Sequence, residues 1–279
     1  MKPVEQKSAL DCAIEAARTV GVLLRKNLKA EKRVNHSEQH DIKLELDVRS
    51  QQIITRSLFR RFPDISLLGE EGLSGNQSSD RRWVVDPIDG TVNFTYGIPH
   101  CCISIALQER REKLPDLRRA LVPDDDYETL VGLVYDPFTD EIWTAIRGGP
   151  ARLNGKIIHV SQRRRLDEAI ISVGFAKNAD SLAFMLPVFN KLIPRVRKIR
   201  IMGAAALGIV YVGTGRFDAY WESGLRLWDI AAGGLIVECA GGEFWRQPLG
   251  SAHAYHLLAS NGLLRTKLTN TANISPGVR

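Results

Sequence analysis

The sequence predicts a mixed α/β protein, an α+β half over residues 1–150 followed by an α/β half over residues 151–279, the two sharing one site. Three observations carry this. The chain opens on a helix-period stripe of Leu10, Ile14, Ala17, Gly21, Leu24 and Leu28. Between residues 65 and 148 short apolar runs recur, separated by turn signals. Beyond residue 165 strand-like and helix-like segments alternate.

Taken in order, residues 5–30 form one long amphipathic helix, and the polar stretch AEKRVNHSEQH after it reads as a mobile loop. A second helix runs from about Asp47 to Phe62, with Val48, Ile54 and Leu58 inward and Pro63 as its stop. ISLLG is a strand ending at Glu70-Glu71, and RWVV is the next, ending at Asp86. CCISIALQ, TLVGLVYDP and DEIWTAIRG read as neighbouring antiparallel strands, with turns at Asp136-Pro137 and Asn154-Gly155. A highly charged insert, residues 109–128, separates the first two. In the second half AIISVGFA is a strand and SLAFMLPVFNKLI a helix. A short strand near VRKIRI precedes the small-residue helix GAAALGIVYVGTG. FDAYWE is a strand, LWDIAAGGLIVECAGG a helix closed by glycines, HLLAS the last strand and NGLLRTKL the last helix. The terminal TANISPGVR is expected to fray.

Composition narrows the function classes. With 279 residues, 44% hydrophobic and 25% charged, the chain is an ordinary globular one with ample core. No apolar run approaches the roughly 20 residues of a membrane span. The N-terminal helix lacks the apolar core of a signal peptide, so a cytoplasmic protein without membrane association is expected. Cys12, Cys101, Cys102 and Cys239 have no metal-ligand spacing and read as free thiols. The net charge of +6 comes from scattered arginine clusters without interleaved aromatics. A solvated surface is the simpler account, with steering of an anionic substrate or weak nucleic-acid attraction the sharper one.

The chemistry concentrates in acids at predicted strand ends and helix starts: Asp47, Glu70, Asp86, Asp89 and Asp229. Any one of them alone is a common turn or capping residue. Brought into one cleft, they repel one another unless a cation intervenes. An all-oxygen donor set without His or Cys selects Mg²⁺ over Zn²⁺, and two such ions can clamp a phosphoryl transfer. Gly90 and Thr91 follow Asp89 directly, and their amides suit a phosphate group. The Thr91 hydroxyl can orient a water whose proton passes to Asp47 or Glu70.

The string GEEG (Gly69 to Gly72), WVVDPIDGTVNF and LWDIAAGGLIVECAGG, in this order and over about residues 8–270, resembles the inositol monophosphatase family of Mg²⁺-dependent, lithium-sensitive phosphatases. The resemblance implies an αβαβα layered sandwich, usually a homodimer. It implies a first metal on Glu70, Asp86 and the Ile88 carbonyl, and a second on Asp86, Asp89 and Asp229. A looser third ion uses Glu70. It further implies Thr91 with Asp47 as the water-activating pair, and Gly90 and Thr91 amides as the phosphate cradle. Asp89, Ala205 and Glu222 match positions that meet the substrate. The expected reaction is hydrolysis of inositol 1-phosphate or a similar polyol or sugar phosphate by metal-activated water. Histidinol-phosphate or bisphosphonucleotide hydrolysis is the alternative, with Asn93-Phe94 favouring the inositol and histidinol types. A transcription- or ribosome-associated binding role is the alternative of another class. Two departures stand out: Leu44 and Ala204 replace the usual hydroxyl residues.

Overall fold

The computed structural model describes residues 1–30, 34–37, 42–111, 126–176, 178–250 and 253–273, with backbone alone at 34–37, 42 and 43. Helix α1 (Pro3–Asn27) buries Ala9, Ala13, Ala16, Ala17, Val20 and Leu24 on one stripe. Pro3 stands in its first turn, where an N–H has no helical partner to lose. A two-stranded antiparallel ribbon of β1 (Val34–Ser37) and β2 (Ile42–Leu44) leads into α2 (Glu45–Arg61). The first sheet holds β3 (Ser66–Gly69), β4 (Gly72–Ser74) and β5 (Arg81–Asp89), then, after the short α3 (Thr91–Thr95), β6 (Cys102–Arg110), β7 (Tyr127–Asp136), β8 (Glu141–Ile146), β9 (Arg152–Leu153) and β10 (Lys156–Ile157). Its order is β10-β9-β8-β7-β6-β5-β3-β4, and only β3 and β5 run parallel.

The second half begins with β11 (Ile170–Val173), α4 (Ala179–Leu192), β12 (Lys198–Arg200) and α5 (Ala205–Gly213). It continues through β13 (Ala219–Arg226), α6 (Leu227–Cys239), β14 (Glu243–Pro248), β15 (Ala254–Ser260) and α7 (Arg265–Ala272). These strands form a mixed sheet in the order β12-β11-β13-β15-β14. No helix among the described residues is long and apolar enough to cross a membrane, and all four cysteines are free.

Strand alternation sorts the elements into five layers. Trp83, Val85, Ile103, Ile105 and Leu107 face α1 and α2, whereas Val84, Cys102 and Ala106, one step out of phase, face α5 and α6. Tyr220, Leu257 and Ala259 of the second sheet close over the same two helices. On that sheet's far side Ile171, Val173 and Trp221 pack on Met185, Val188 and Leu192 of α4 and on Leu268 of α7. The layering is therefore αβαβα, with α5 and α6 buried between two sheets. Both central helices are apolar all round, as a doubly covered helix must be.

Close backbone approach sets the spacing of the central layer. A Cβ on Gly132 of β7 would lie 2.7 Å from the carbonyl oxygen of Ala232 and 3.2 Å from its Cα. Glycine at this position lets α6 sit directly on the first sheet. The Ser104 hydroxyl of β6 donates to the Trp228 carbonyl at 2.9 Å, pinning the first turn of α6 from below.

Several elements differ from the pattern reading. The stretch expected as a mobile loop contains β1, whose pairing with β2 uses the backbone's own donors and needs no apolar alternation. Val48 is only partly buried, and Asp47, Ser50 and Gln51 occupy the inward face of α2 beside Ile54 and Leu58. The sequence pattern predicts no strand at 243–248, where β14 forms the sheet edge without a fully buried residue. Asp41, residues 112–125 of the charged insert and the terminal residues past 273 lie outside the described residues.

Replacing Gly132 by alanine should force α6 away from β7. Overpacking of this kind costs about 1–3 kcal/mol, so thermal unfolding of the Gly132→Ala variant should shift down by roughly 3–10 °C.

Candidate functional site

The two aspartates of DPID share a face because the strand is interrupted between them. Residues three apart on a regular strand point to opposite sides. In β5 the pairing with β6 runs regularly to Asp86↔Ser104 and then slips by one residue, so that Asp89 pairs with Cys102. The extra residue is a β-bulge, and it holds Pro87, which has no N–H to offer the ladder. Asp86 keeps the phase of Val84, Ile88 turns to the α1–α2 side, and Asp89 returns to the central layer. The Asp86 Oδ1 accepts the Ile88 N–H at 2.9 Å and fixes the bulge.

Asp89 is then held by another element. The N–H groups of Ala205 and Ala206, in the first turn of α5, donate to its two oxygens at 3.0 and 2.8 Å, and Cys102 Sγ lies 3.4 Å from Oδ2. The α5 N-cap is Ala204, which has no capping side chain, so Asp89 caps this helix from β5 across 116 residues of sequence. Asp229 behaves differently. It sits at the third position of α6 and reaches back to accept the Arg226 N–H at 2.7 Å, leaving its other oxygen toward the cavity. Oxygen atoms of Asp86, Asp89 and Asp229 lie within 4.8 Å of one another. Glu70 leaves β3 beside β5, its N–H donating to the Val85 carbonyl at 3.1 Å, and its carboxyl hydrogen-bonds to Asp86.

The cluster occupies one wall of a cavity of about 440 Å³. Glu70, Asp86, Ile88, Asp89, Gly90, Thr91, Ala205, Glu222 and Asp229 all line it, so nine of the ten predicted site residues share it. Asp47 is the exception: it is buried at the start of α2, where its Oδ2 accepts the Leu44 N–H at 2.7 Å. Leu44 packs in the core against α1 and α2, so this departure supplies hydrophobic contact. Gly90 adopts φ +93°, and a Cβ there would press on the His100 carbonyl, Ala204 and Cys101. Thr91 Oγ1 donates to the Ile88 carbonyl at 2.9 Å. Asn93 uses its amide to donate to the carbonyls of His100 and Met202, at 2.9 and 2.8 Å, and so staples the rim of the cavity.

Tyr220 and Gly174 are cavity-lining neighbours of Glu222 that motif reasoning misses. The Tyr220 hydroxyl hydrogen-bonds to Glu222, and a Cβ on Gly174 would overlap the Glu222 carboxylate. The two-residue spacing of Tyr220 and Glu222 on β13 is the signal that could have paired them. No sequence signal announces Gly174.

Electrostatics follow from burial and crowding. No Lys, Arg or His lines the cavity among the described residues. Burial, reinforced by Glu70, Asp89 and Asp229, holds the Asp86 carboxyl well above its ordinary range. Asp229 is raised in the same way by burial and by Asp89 and Glu70. Burial lifts Asp89 only to about 6, because the α5 amides and Cys102 oppose it. Glu222 reaches about 7, with burial first and Asp89 adding to it while Tyr220 pulls it down. Burial keeps the Cys101 and Cys102 thiols protonated. A cation entering here would meet hard oxygen donors, the set that suits Mg²⁺, Ca²⁺ or Mn²⁺.

These shifts make stability depend on pH. Glu222 in the fold keeps its proton up to about 7, whereas the unfolded chain releases it near 4.5. Its contribution is therefore full below pH 4.5 and lost as pH rises through about 7. Denaturant unfolding of metal-free protein should show stability declining over that window. Glu222→Gln should remove on the order of 1–3 kcal/mol of the decline; an unchanged slope would contradict the assignment.

Comparison with known proteins agrees with this geometry. The family model described as "Inositol monophosphatase family" matches residues 5–115 and 120–272. Nus factor SuhB of Xylella fastidiosa is 39% identical over 241 residues, 85% of this chain and 81% of that one. Inositol monophosphatase 2 of Solanum lycopersicum is 35% identical over 277 residues, 95% of this chain and 98% of that one. The solved structure of the Thermotoga maritima IMPase superposes with a TM-score of 0.79 at 33% identity, covering 95% of this chain and 96% of that one. The chain belongs to the inositol monophosphatase family and is a phosphoric monoester hydrolase.

Proposed function

We propose that the protein hydrolyses phosphate monoesters of small polyols or sugars, inositol 1-phosphate among them, with Mg²⁺ as cofactor. The observation that carries this reading is the convergence of Glu70, Asp86, Asp89 and Asp229 on one wall of a single cavity. Their donors are all oxygen, and their crowding disfavours ionisation unless positive charge is added. Glu70, Asp86 and the Ile88 carbonyl would hold one ion, Asp86, Asp89 and Asp229 a second, and Glu70 a looser third. Bound Mg²⁺ supplies the charge that neutralises these carboxylates and the phosphate oxygens, and it acidifies nearby water.

The remaining work falls to the chain itself. The left-handed Gly90 brings its own amide and that of Thr91 to the start of α3, a suitable cradle for phosphate oxygens. The Thr91 hydroxyl, tied to the Ile88 carbonyl, orients the attacking water. Glu70, which lines the cavity where Asp47 does not, takes that water's proton. Glu222, fixed by Tyr220 and by the space at Gly174, accepts hydroxyls of the alcohol together with Asp89. Relatives named inositol monophosphatase support this substrate class.

A second reading, favoured by relatives named Nus factor, is a transcription-associated binding role carried beside the hydrolysis. Nucleic-acid retention that falls steeply between two salt concentrations would support it. Retention indifferent to salt, or none, would remove it.

Two variants test the main reading. Asp89→Asn should lower Mg²⁺-dependent phosphate release at least about a hundredfold; a rate near wild type would contradict the assignment. Asp86→Asn should abolish turnover yet raise the unfolding temperature of the metal-free protein near neutral pH, because it removes a carboxyl that burial and its acidic neighbours force to hold a proton which the unfolded chain releases. A fall in that temperature would show that repulsion is not the governing force.

A further inference from the structure

The cavity that holds the acids is also lined by large apolar side chains. Val92 of α3 and Ile201, just after β12, both line the cavity while remaining 45% and 60% exposed. Phe175 and Leu225 line it as well. Isolated exposed apolar side chains need no explanation, but here they converge on one mouth. Two of these positions are also held in place. Phe175 packs edge-on against Phe189 of α4 with ring centroids 5.9 Å apart. The Ile201–Met202 segment is tied to α3 by the Asn93 amide on the Met202 carbonyl. It then turns through Gly203 at φ +75°, where a Cβ would lie 3.2 Å from the Asn93 side-chain nitrogen. Ala204 and Ala205 line the same cavity with methyl side chains, and the Ala205 amide is already taken by Asp89.

We infer that the leaving alcohol is two-sided: hydroxyls near the phosphate meet Glu222 and Asp89, and an apolar substituent farther out lies against Val92, Phe175 and Ile201. This rests on the phosphomonoesterase reading above and names the class of alcohol it takes. A purely polyhydroxylated alcohol leaves the apolar wall in water, whereas an aryl or alkyl ether of a polyol covers it. Burial of a few methylene equivalents in such a pocket is worth on the order of tenfold to a hundredfold in kcat/KM.

The test compares glycerol 1-phosphate with its 3-O-benzyl ether, two esters whose leaving oxygen is chemically alike, using Mg²⁺-loaded protein. The benzyl ether should be hydrolysed with the higher kcat/KM, by on the order of tenfold or more, mainly through a lower KM. Ile201→Ser and Val92→Ser should each erase most of that preference while leaving the glycerol 1-phosphate rate within about twofold. Both side chains are exposed, so unfolding temperatures should stay near wild type. Hydrolysis of both esters with a ratio that the two substitutions leave unchanged overturns the apolar subsite and spares the phosphatase reading. Failure to cleave either ester, or any other phosphate monoester, overturns the phosphatase reading and the subsite with it.

Discussion

Repulsion among buried carboxylates is the constraint on which the rest of the molecule depends. Two unit charges about 4 Å apart near a protein surface repel by about 4 kcal/mol. A domain's whole net stability is only about 5–15 kcal/mol. Asp86, Asp89 and Asp229, with Glu70 bonded to the first, cannot all ionise together without opposing charge. The fold nonetheless drives them into contact, and each approach has an identifiable cause. The bulge at Pro87–Ile88 returns Asp89 to the side of Asp86. The missing side chain at Gly132 and the Ser104–Trp228 hydrogen bond bring the start of α6, and with it Asp229, down onto the first sheet. The positive end of α5 meets Asp89 and partly offsets its burial. Packing in three separate cores supplies the energy that holds these acids together.

The acids themselves were legible because carboxylates at the ends of apolar runs are unusual enough to be noticed, and their linked motifs matched a family. That they meet followed from the resemblance, but the backbone devices that bring them together were not legible. Whether Asp86 and Asp89 share a face depends on the pairing register with β6, a property of two strands that no window on one strand contains. The capping of α5 by Asp89 joins residues 116 apart. Ala204 looked like the loss of a hydroxyl, and the structure shows why the helix start tolerates it: Asp89 serves the amides that a capping side chain would have served. Asn93 was read as a cue to the substrate type, and the structure adds that its amide braces the rim of the cavity. The alternation of strands and helices showed a mixed α/β chain, and the five-layer order came from the family resemblance, while β14, with no fully buried residue, carried no periodic signal. The ribbon of β1 and β2 was hidden because its two strands are only four and three residues long and mostly polar in sequence.

Family membership and physical chemistry divide the labour in this site. Kinship with inositol monophosphatases bears on the reaction class, and the chain's own residues bear on what it acts upon. An acidic wall and an apolar wall meet across a cavity of about 440 Å³. The first is suited to cations and phosphate, the second to a part of the substrate that water solvates poorly. Tyr220, Gly174 and Asn93 line the same cavity, the first two setting the position of Glu222 and the third that of the Met202 segment.

The central claim, that the fold gathers these carboxylates around divalent cations, is tested most directly by anomalous diffraction from crystals soaked in Mn²⁺, a hard ion with the same taste for oxygen. The account predicts anomalous density bounded by Asp86, Asp89 and Asp229, with Glu70 and the Ile88 carbonyl beside it. Crystals that diffract well but show no such density there at saturating Mn²⁺, or that show it only elsewhere on the surface, would contradict the account.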